Sequence, residues 1–356
     1  MIKYKKFIKN FILVIIGLLL FHFTIWNIYT KYVFPKSYLI GDLGRMSYQI
    51  KSLLPRKITN NLSNTHIESY DYNNTDIDII VIGDSFSNGG GSGKNTYYED
   101  YISTYNHKSV LNIQQLKGTN NYIESILVLL KNNLLDKMNI KYVLIETVER
   151  EAVNRFTGTP DFNITLPKKD IIKQFSDKTN AFHGEDKNIA NSFISNLNIN
   201  ALKYNIMYHF NDHAFSSNVY KYKLNKNLFT CKEENSLLFY KDDIKHIGNS
   251  TKENIKKLND NFNKLAVILK QKDIKLYFMP VVDKYNLYEP YISNNKYQKS
   301  TFFEYLRVLP KEYTLIDTKD ILCKELNKGV KDLYYPDDTH WSYKASEAIF
   351  KKVKFE

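Results

Sequence analysis

The chain has 356 residues, of which 43% are hydrophobic and 25% charged. That balance excludes wholesale disorder and suits one large α/β domain or two small ones. The net charge of +12 is concentrated at one end: residues 1–60 hold ten Lys/Arg against Asp42 alone, and the remaining 296 residues carry only +3. A basic end fits anionic lipid headgroups, and without a basic stripe or a binding module elsewhere a nucleic-acid partner is not expected.

The first predicted element is Phe11–Ile28, an uncharged run of 18 residues broken only by His22, Thr24 and Asn27. As a helix it spans roughly 27 Å, close to the hydrocarbon thickness of a bilayer. Lys3, Lys5, Lys6 and Lys9 precede it, and Trp26, Tyr29 and Tyr32 follow it as an interfacial aromatic belt. No small-x-small cleavage site follows. Residues 1–34 are therefore expected to be an uncleaved single-pass anchor in the cytoplasmic (inner) membrane, with the rest of the chain on the extracytoplasmic side. Residues 35–76, polar and Asn-rich with Pro35 and Pro55, read as a juxtamembrane linker.

From residue 77 the pattern becomes regular. Ile77–Ile82 is a short apolar run fit for a buried parallel strand, and Val110–Ile113 is a second. Asn120–Met138 places Ile123, Ile126, Leu127, Leu130 and Leu134 on one helical face, with Thr119 or Asn120 as N-cap. Lys141–Thr147 is a third strand. Residues 152–250 fit the rhythm badly and read as an insertion packed over one end of the sheet. Ile255, Leu258, Phe262, Leu265 and Leu269 then repeat at helical spacing, followed by a strand at Ile274–Val281. A helix near Phe302–Leu309, a strand at Tyr313–Asp317 and a last helix at Tyr343–Lys352, capped by Ser342, complete residues 77–356. Strands alternating with helices predict an α/β fold with a doubly wound, mostly parallel sheet.

The strongest local motif is Val81-Ile82-Gly83-Asp84-Ser85-Phe86. Ser85 follows a buried strand, so its hydroxyl stands at the carboxyl end of the sheet, where α/β sites gather. Gly83 permits the sharp turn, and the Ser85 N–H can help bind an oxyanion. Rival motifs fail on counting. A G-x-S-x-G elbow needs glycine where Ser87 stands. A P-loop ending at Gly93-Lys94 needs glycine at Asn88 and Ser or Thr at Asn95, and Lys94 and Thr96 break any G-x-G-x-x-G. Near the C-terminus stands Asp337-Asp338-Thr339-His340-Trp341-Ser342. A serine hydroxyl needs a base, and the base needs an orienting carboxylate; an acid two or three residues before a histidine on one loop can reach its second nitrogen. Cys231 and Cys323 permit one disulfide in an exported domain. His209 and His213 lie one turn apart, but Phe210 stands where a metalloprotease has glutamate. Neither a metal nor a cofactor is expected.

The GDSF segment after the first strand, with an Asp-x(-x)-His loop before the last helix, resembles the SGNH (GDSL-like) hydrolase superfamily. The DDTHWS segment and the run Met279–Tyr285 look like the branch containing alginate-type O-acetyltransferases and other proteins that modify cell-envelope polysaccharides. The resemblance covers roughly residues 77–147 and 274–350. It implies a flavodoxin-like sheet, Ser85 as nucleophile, His340 as base and Asp338, with Asp337 as the alternative, as the orienting acid. Gly118 stands for the second-block oxyanion glycine, and Asn120 and Trp341 are further candidates for oxyanion or substrate binding. The third-block Gly-x-Asn-Asp is missing: the third strand runs instead into Glu146-Thr147-Val148-Glu149-Arg150. The order also differs, since the Asp-x-His motif precedes the serine in the alginate enzymes and follows it here.

These readings give an expected function of serine-dependent acyl, above all O-acetyl, transfer to or removal from a cell-envelope glycan, with a membrane acyl-exporting protein as a further partner. A non-catalytic envelope assembly protein of the same fold is the alternative, and the missing asparagine is its support. The topology has a direct test. Reporter fusions placed after residue 60 should be active on the extracytoplasmic side, and activity confined to the cytoplasm would refute the orientation.

Overall fold

The computed structural model describes residues 2–30, 40–49, 61–91, 95–178 and 192–356. Helix α1 (Ile2–Ile25) continues into a wider π-helical turn at Trp26–Thr30, and Lys3–Thr30 is long and apolar enough to cross a membrane. Polar side chains inside it bond to its own carbonyls. Thr24 Oγ1 donates to Leu20 O over 2.8 Å and Asn27 Nδ2 to Phe23 O over 3.1 Å, which satisfies both in an apolar medium.

Eight strands form two sheets: β1 (Ile67–Glu68), β2 (Ile79–Ile82), β3 (Val110–Ile113), β4 (Tyr142–Val148), β5 (Val219–Lys223), β6 (Ser236–Tyr240), β7 (Lys275–Val281) and β8 (Thr314–Leu315). The main sheet has the order β1-β3-β2-β4-β7-β8, with every pairing parallel. β5 and β6 form a separate antiparallel hairpin. Strands β2, β3 and β4 are buried along their whole length, as expected where helices cover both faces.

The helices that matter for the site are α2 (Asp42–Ser47), α3 (Tyr98–Asn106), α4 (Tyr122–Lys131), α5 (Glu149–Phe156), α6 (Asn196–Met207), α7 (Lys252–Lys270), α8 (Lys284–Tyr288), α9 (Thr318–Asn327) and α10 (Tyr343–Lys352). Helix α10 packs on α3 and α9, whereas α7 packs on α4 and α5, so two separate helical layers flank the sheet. From β2 the chain steps outward to β3, then returns past β2 to β4. The direction of winding reverses there, which makes the carboxyl end of β2 the topological switch point.

Several elements differ from their sequence-based expectations. The helix expected over 120–138 stops at Lys131, because Asn133 adopts a left-handed conformation (φ +54°) and a short turn, Leu134–Lys137, follows. Its N-cap is Asn121, whose side chain accepts from Glu124 N, rather than Thr119 or Asn120. The strand expected at Tyr313–Asp317 narrows to two residues, since Asp317 instead caps α9 by accepting from Asp320 N. The stretch read as a linker over 35–76 is partly built into the domain: Leu43 is buried and Ile67–Glu68 forms the edge strand on β3. Pro35, Pro55 and Tyr32 lie outside the described residues. The insertion at 152–250 begins within α5 and carries α6 and the β5–β6 hairpin. Both cysteines are free thiols, so the disulfide that their number permitted is not formed.

Candidate active site

Ser85 stands three residues beyond the end of β2, at the switch point. The turn that presents it is fixed by two close approaches. At Gly83 a Cβ would lie 2.1 Å from Ser87 Oγ and 2.3 Å from Glu146 Oε2, so no side chain fits. After the serine the chain curls back on itself: Asn88 N and Gly90 N both donate to Ser85 O, over 3.2 and 2.8 Å. The curl requires left-handed glycines at Gly89 (φ +69°) and Gly91 (φ +95°).

His340 arrives from the other end of the chain, on the irregular loop between α9 and α10. Its Nε2 lies 2.8 Å from Ser85 Oγ, and its Nδ1 lies 2.7 Å from Asp338 Oδ1. Asp338 Oδ1 also accepts from the His340 backbone N–H over 3.0 Å. The three residues thus form one hydrogen-bonded chain in the arrangement of a nucleophile, a base and an orienting acid. Asp337, the alternative acid, faces the other way. Its Oδ2 accepts from Gly41 N over 2.7 Å, at the start of α2.

A second carboxylate reaches the histidine loop, and nothing in the local sequence pointed to it. Asp42, the first residue of α2, accepts from Thr339 N over 2.8 Å and from Thr339 Oγ1 over 2.5 Å. It belongs with Asp338 and His340 to a tight group of possible ligand atoms. Burial by itself lowers the pKa of His340, but the charge and hydrogen bond of Asp338, with Asp42 behind them, outweigh it and raise the imidazole above its usual range. Asp42 is pushed up by burial and then by the neighbouring Asp338.

The loop is also held from below. The buried Lys284, on α8, donates from Nζ to the carbonyls of Tyr335, Pro336 and Asp338, over 2.6, 3.0 and 3.0 Å. Burial depresses its pKa to about 8 against the pull of Asp337, Asp338, Asp42 and Asp243.

Around Ser85 the ionisable groups are pushed in opposite directions. Asp84 Oδ2 accepts from Val148 N over 2.9 Å and from Arg155 over 2.6 Å. Burial alone would raise its pKa, but the Arg155 charge and these hydrogen bonds hold it below the usual carboxylate range. Glu146, at the end of β4, goes the other way: burial and then the charge of Asp84 keep it well above that range. Its Oε2 accepts from Asp84 N and from Ser87 Oγ, both over 2.9 Å. Its Oε1 is buried without a partner among the described residues.

The other expected site residues are placed differently. Trp341 is buried and packs edge-on against Phe86 and Tyr98, so it supports the loop from inside and offers no face to a substrate. Asn120 directs its amide and its backbone N–H at the Glu124 carboxylate, where they close the start of α4. Gly118 adopts φ +96° in the turn after β3, and a Cβ there would meet Leu166 rather than the serine turn. The backbone N–H of Ser85 has no acceptor among the described residues. Two amides not read from the sequence stand nearby, since Asn88 Nδ2 donates to Asp84 O and Gln114 Nε2 donates to Asn88 Oδ1. Comparison of the chain with family models, with curated proteins and with solved structures finds no match.

Two outcomes follow from this geometry. A Cβ on Gly90 would lie 2.3 Å from both Cδ2 and Nε2 of His340, so Gly90→Ala must displace the imidazole from Ser85. The same Cβ would lie 2.7 Å from Ser85 O, so the serine turn must shift as well, and turnover should fall by roughly 10²-fold or more. The second concerns pH. The base must be neutral at Nε2, so activity rises as His340 loses its proton. The acid limb of kcat/KM should therefore lie above the ordinary imidazole value of about 6.5. Asp42→Asn removes one cause of the upward shift and should move that limb to lower pH. A limb that stays in place would show that Asp42 is not electrostatically linked to the base.

Proposed function

We propose that this chain is a membrane-anchored serine acyltransferase or esterase that moves an acyl group, most simply acetyl, on a cell-envelope glycan. The observation that carries the reading is the unbroken chain Ser85–His340–Asp338 at the switch point of a parallel sheet. The resemblance of the GDSF and DDTHWS segments to SGNH enzymes supports the same chemistry.

In this reading Ser85 Oγ attacks the carbonyl carbon of an acyl ester and passes its proton to His340 Nε2. Asp338 holds the imidazole in the required tautomer and offsets the imidazolium charge. The tetrahedral oxyanion is stabilised by the Ser85 N–H, and the second N–H of the Asn88 or Gln114 amide is available for the role of the missing third-block asparagine. Collapse breaks the ester C–O bond, and the departing alkoxide takes the proton from His340. The acyl-enzyme is then attacked by a hydroxyl that gives its proton to His340; the bond between the acyl carbon and Ser85 Oγ breaks, Oγ takes the proton back from His340, and the acylated acceptor leaves. If that hydroxyl belongs to a sugar the reaction is transfer, and if to water it is hydrolysis. Water at ~55 M is outcompeted when the acceptor is aligned, since alignment supplies effective molarities of ~10⁵ M or more. The insertion beginning in α5 is the part of the chain available to bind that acceptor and to exclude water.

A fluorophosphonate probe should label the purified protein at Ser85, and labelling should vanish in Ser85→Ala. Against an activated acetyl ester, Ser85→Ala and His340→Ala should each lower turnover by roughly 10³–10⁴-fold, with little further loss in the double variant. An unlabelled Ser85 would favour a non-catalytic protein of this fold, and additive losses would mean that Ser85 and His340 do not work together. Mass spectrometry of envelope oligosaccharides incubated with the enzyme and the ester should find acetylated sugar. Unmodified acceptors beside undiminished release of acetate would make the protein an esterase.

A further inference from the structure

We propose that helix α6 lies in contact with lipid through its Ile199–Leu202–Ile206 face, so that the domain meets the bilayer along a second helix beside α1. The inference rests on reading α1 as a membrane span.

The polarity of α6 is inverted. A helix on a protein in water hides its apolar stripe and shows its polar one. Here Asn198 is 0% exposed and Ala201 is 3% exposed, whereas Ile199, Leu202 and Ile206 are 48%, 42% and 49% exposed. Positions 199, 202 and 206 fall on one side of the helix by their spacing of three and four, and Asn198, Ala201 and Asn205 fall on another. The inward polar side chains are satisfied within the protein. Asn198 Nδ2 bonds to His22 Nδ1 and to Phe193 O, both over 3.0 Å, and its Oδ1 accepts from Thr30. Asn205 Nδ2 donates to Ala201 O and Tyr48 O, and its Oδ1 accepts from Gln49. Polar groups turned inward and apolar groups turned outward are the pattern of a helix whose surroundings are apolar.

Position says which apolar surroundings these are. The partners of α6 at its N-terminal end are residues of α1: His22 bonds Asn198, and Phe193 packs against Phe23 and Trp26 with ring centroids 6.0 and 6.1 Å apart. His22 precedes Ile28, the end of the uncharged run, by six residues, about 9 Å along the helix. The start of α6 therefore lies at the depth of the apolar stretch itself. Ile194 before the helix and Phe210 after it are exposed as well, as are the apolar side chains of α1 from Phe11 to Leu20. Lys203 and Asn196 border this face, and a lysine at such an edge can raise its ammonium to the headgroups. Exposed apolar side chains clustered in this way on a chain in water would mark a binding site, and the contact with α1 commits them to the bilayer.

The contact also places the site. Tyr204 stacks on Tyr48 with centroids 5.4 Å apart, Tyr48 ends α2, and Asp42 at the other end of α2 holds Thr339 beside His340. One helix of six residues, about 9 Å long, separates the lipid-facing element from the histidine loop.

The test uses the full chain in vesicles of phosphatidylcholine with or without brominated acyl chains, with Trp26→Phe throughout and the emission of the remaining buried Trp341, measured in Trp26→Phe alone, subtracted. Tryptophan is introduced singly as Ile199→Trp, as Ile206→Trp and, inside the span, as Leu18→Trp. The bromine should quench Ile199→Trp and Ile206→Trp to about the extent that it quenches Leu18→Trp, and aqueous acrylamide should reach none of them. If Leu18→Trp is quenched by bromine but the α6 variants respond only to acrylamide, the face is in water and the inference fails alone. If the α6 variants respond to neither, another protein or a second copy covers the face, and the inference again fails alone. If Leu18→Trp also escapes the bromine, the span reading falls and takes this inference with it.

Discussion

The buried ammonium of Lys284 holds the loop that carries His340. That loop, residues 335–340, has no helix and no strand pairing beyond the single bridge between Tyr334 and Trp341, and within it only two long backbone bonds, Tyr335 N to His340 O and Asp338 N to Tyr335 O, both 3.3 Å. Three carbonyls in a row of four residues point at one Nζ, and a primary ammonium has three N–H groups to give them. Burying a lysine is costly unless its charge is matched, and here the carboxylates of Asp337, Asp338, Asp42 and Asp243 supply the match. Lys284 in turn is anchored by its neighbour: Asp283 pairs with Arg150 over 2.9 Å, which joins the end of β7 to the start of α5. The histidine loop is therefore placed by a chain of hydrogen bonds from the sheet outward.

The same loop is closed from the other side by the segment that follows the apolar helix. Gly41 N and Gly44 N bond to the side chain and the carbonyl of Asp337, and Asp42 receives both donors of Thr339. Gly44 sits so close that a Cβ would lie 3.2 Å from that of Asp337. Residues 41–44 are thus a wall of the site rather than a tether to it. Their attachment gives the base a second nearby carboxylate and ties its position to the end of the chain that carries α1.

Next to the serine, two carboxyl groups only a strand apart are pushed in opposite directions. Arg155 and backbone donors lower the pKa of Asp84, whereas burial and then the charge of Asp84 raise that of Glu146. Glu146 packs against Gly83 and braces the turn, while Asp84 ties β2 to β4 through Val148. The aspartate and glycine of the GDS motif are in this chain structural supports for the serine that follows them.

The sequence by itself determined the elements whose cause is local. Short apolar runs mark β2, β3, β4 and β7, and apolar residues at helical spacing mark α7, to within about three residues, because their burial pattern is written in nearby side chains. Ser85, His340 and an orienting acid at Asp338 or Asp337 were legible for the same reason: a turn after a strand and an acid two or three residues before a histidine are short-range features. Tertiary structure alone decided which aspartate faces the ring, since Asp337 and Asp338 are adjacent and point to opposite sides of one backbone. It also recruited Asp42, 296 residues before Asp338, and brought Lys284, Glu146 and Arg155 to the site from three separate elements. Trp341 and Asn120 went the other way, from expected site residues to buried packing and a helix start. Neither outcome has a sequence signature, because hydrogen bonds between distant segments depend on how the sheet brings strand ends together and leave no periodic trace in the chain.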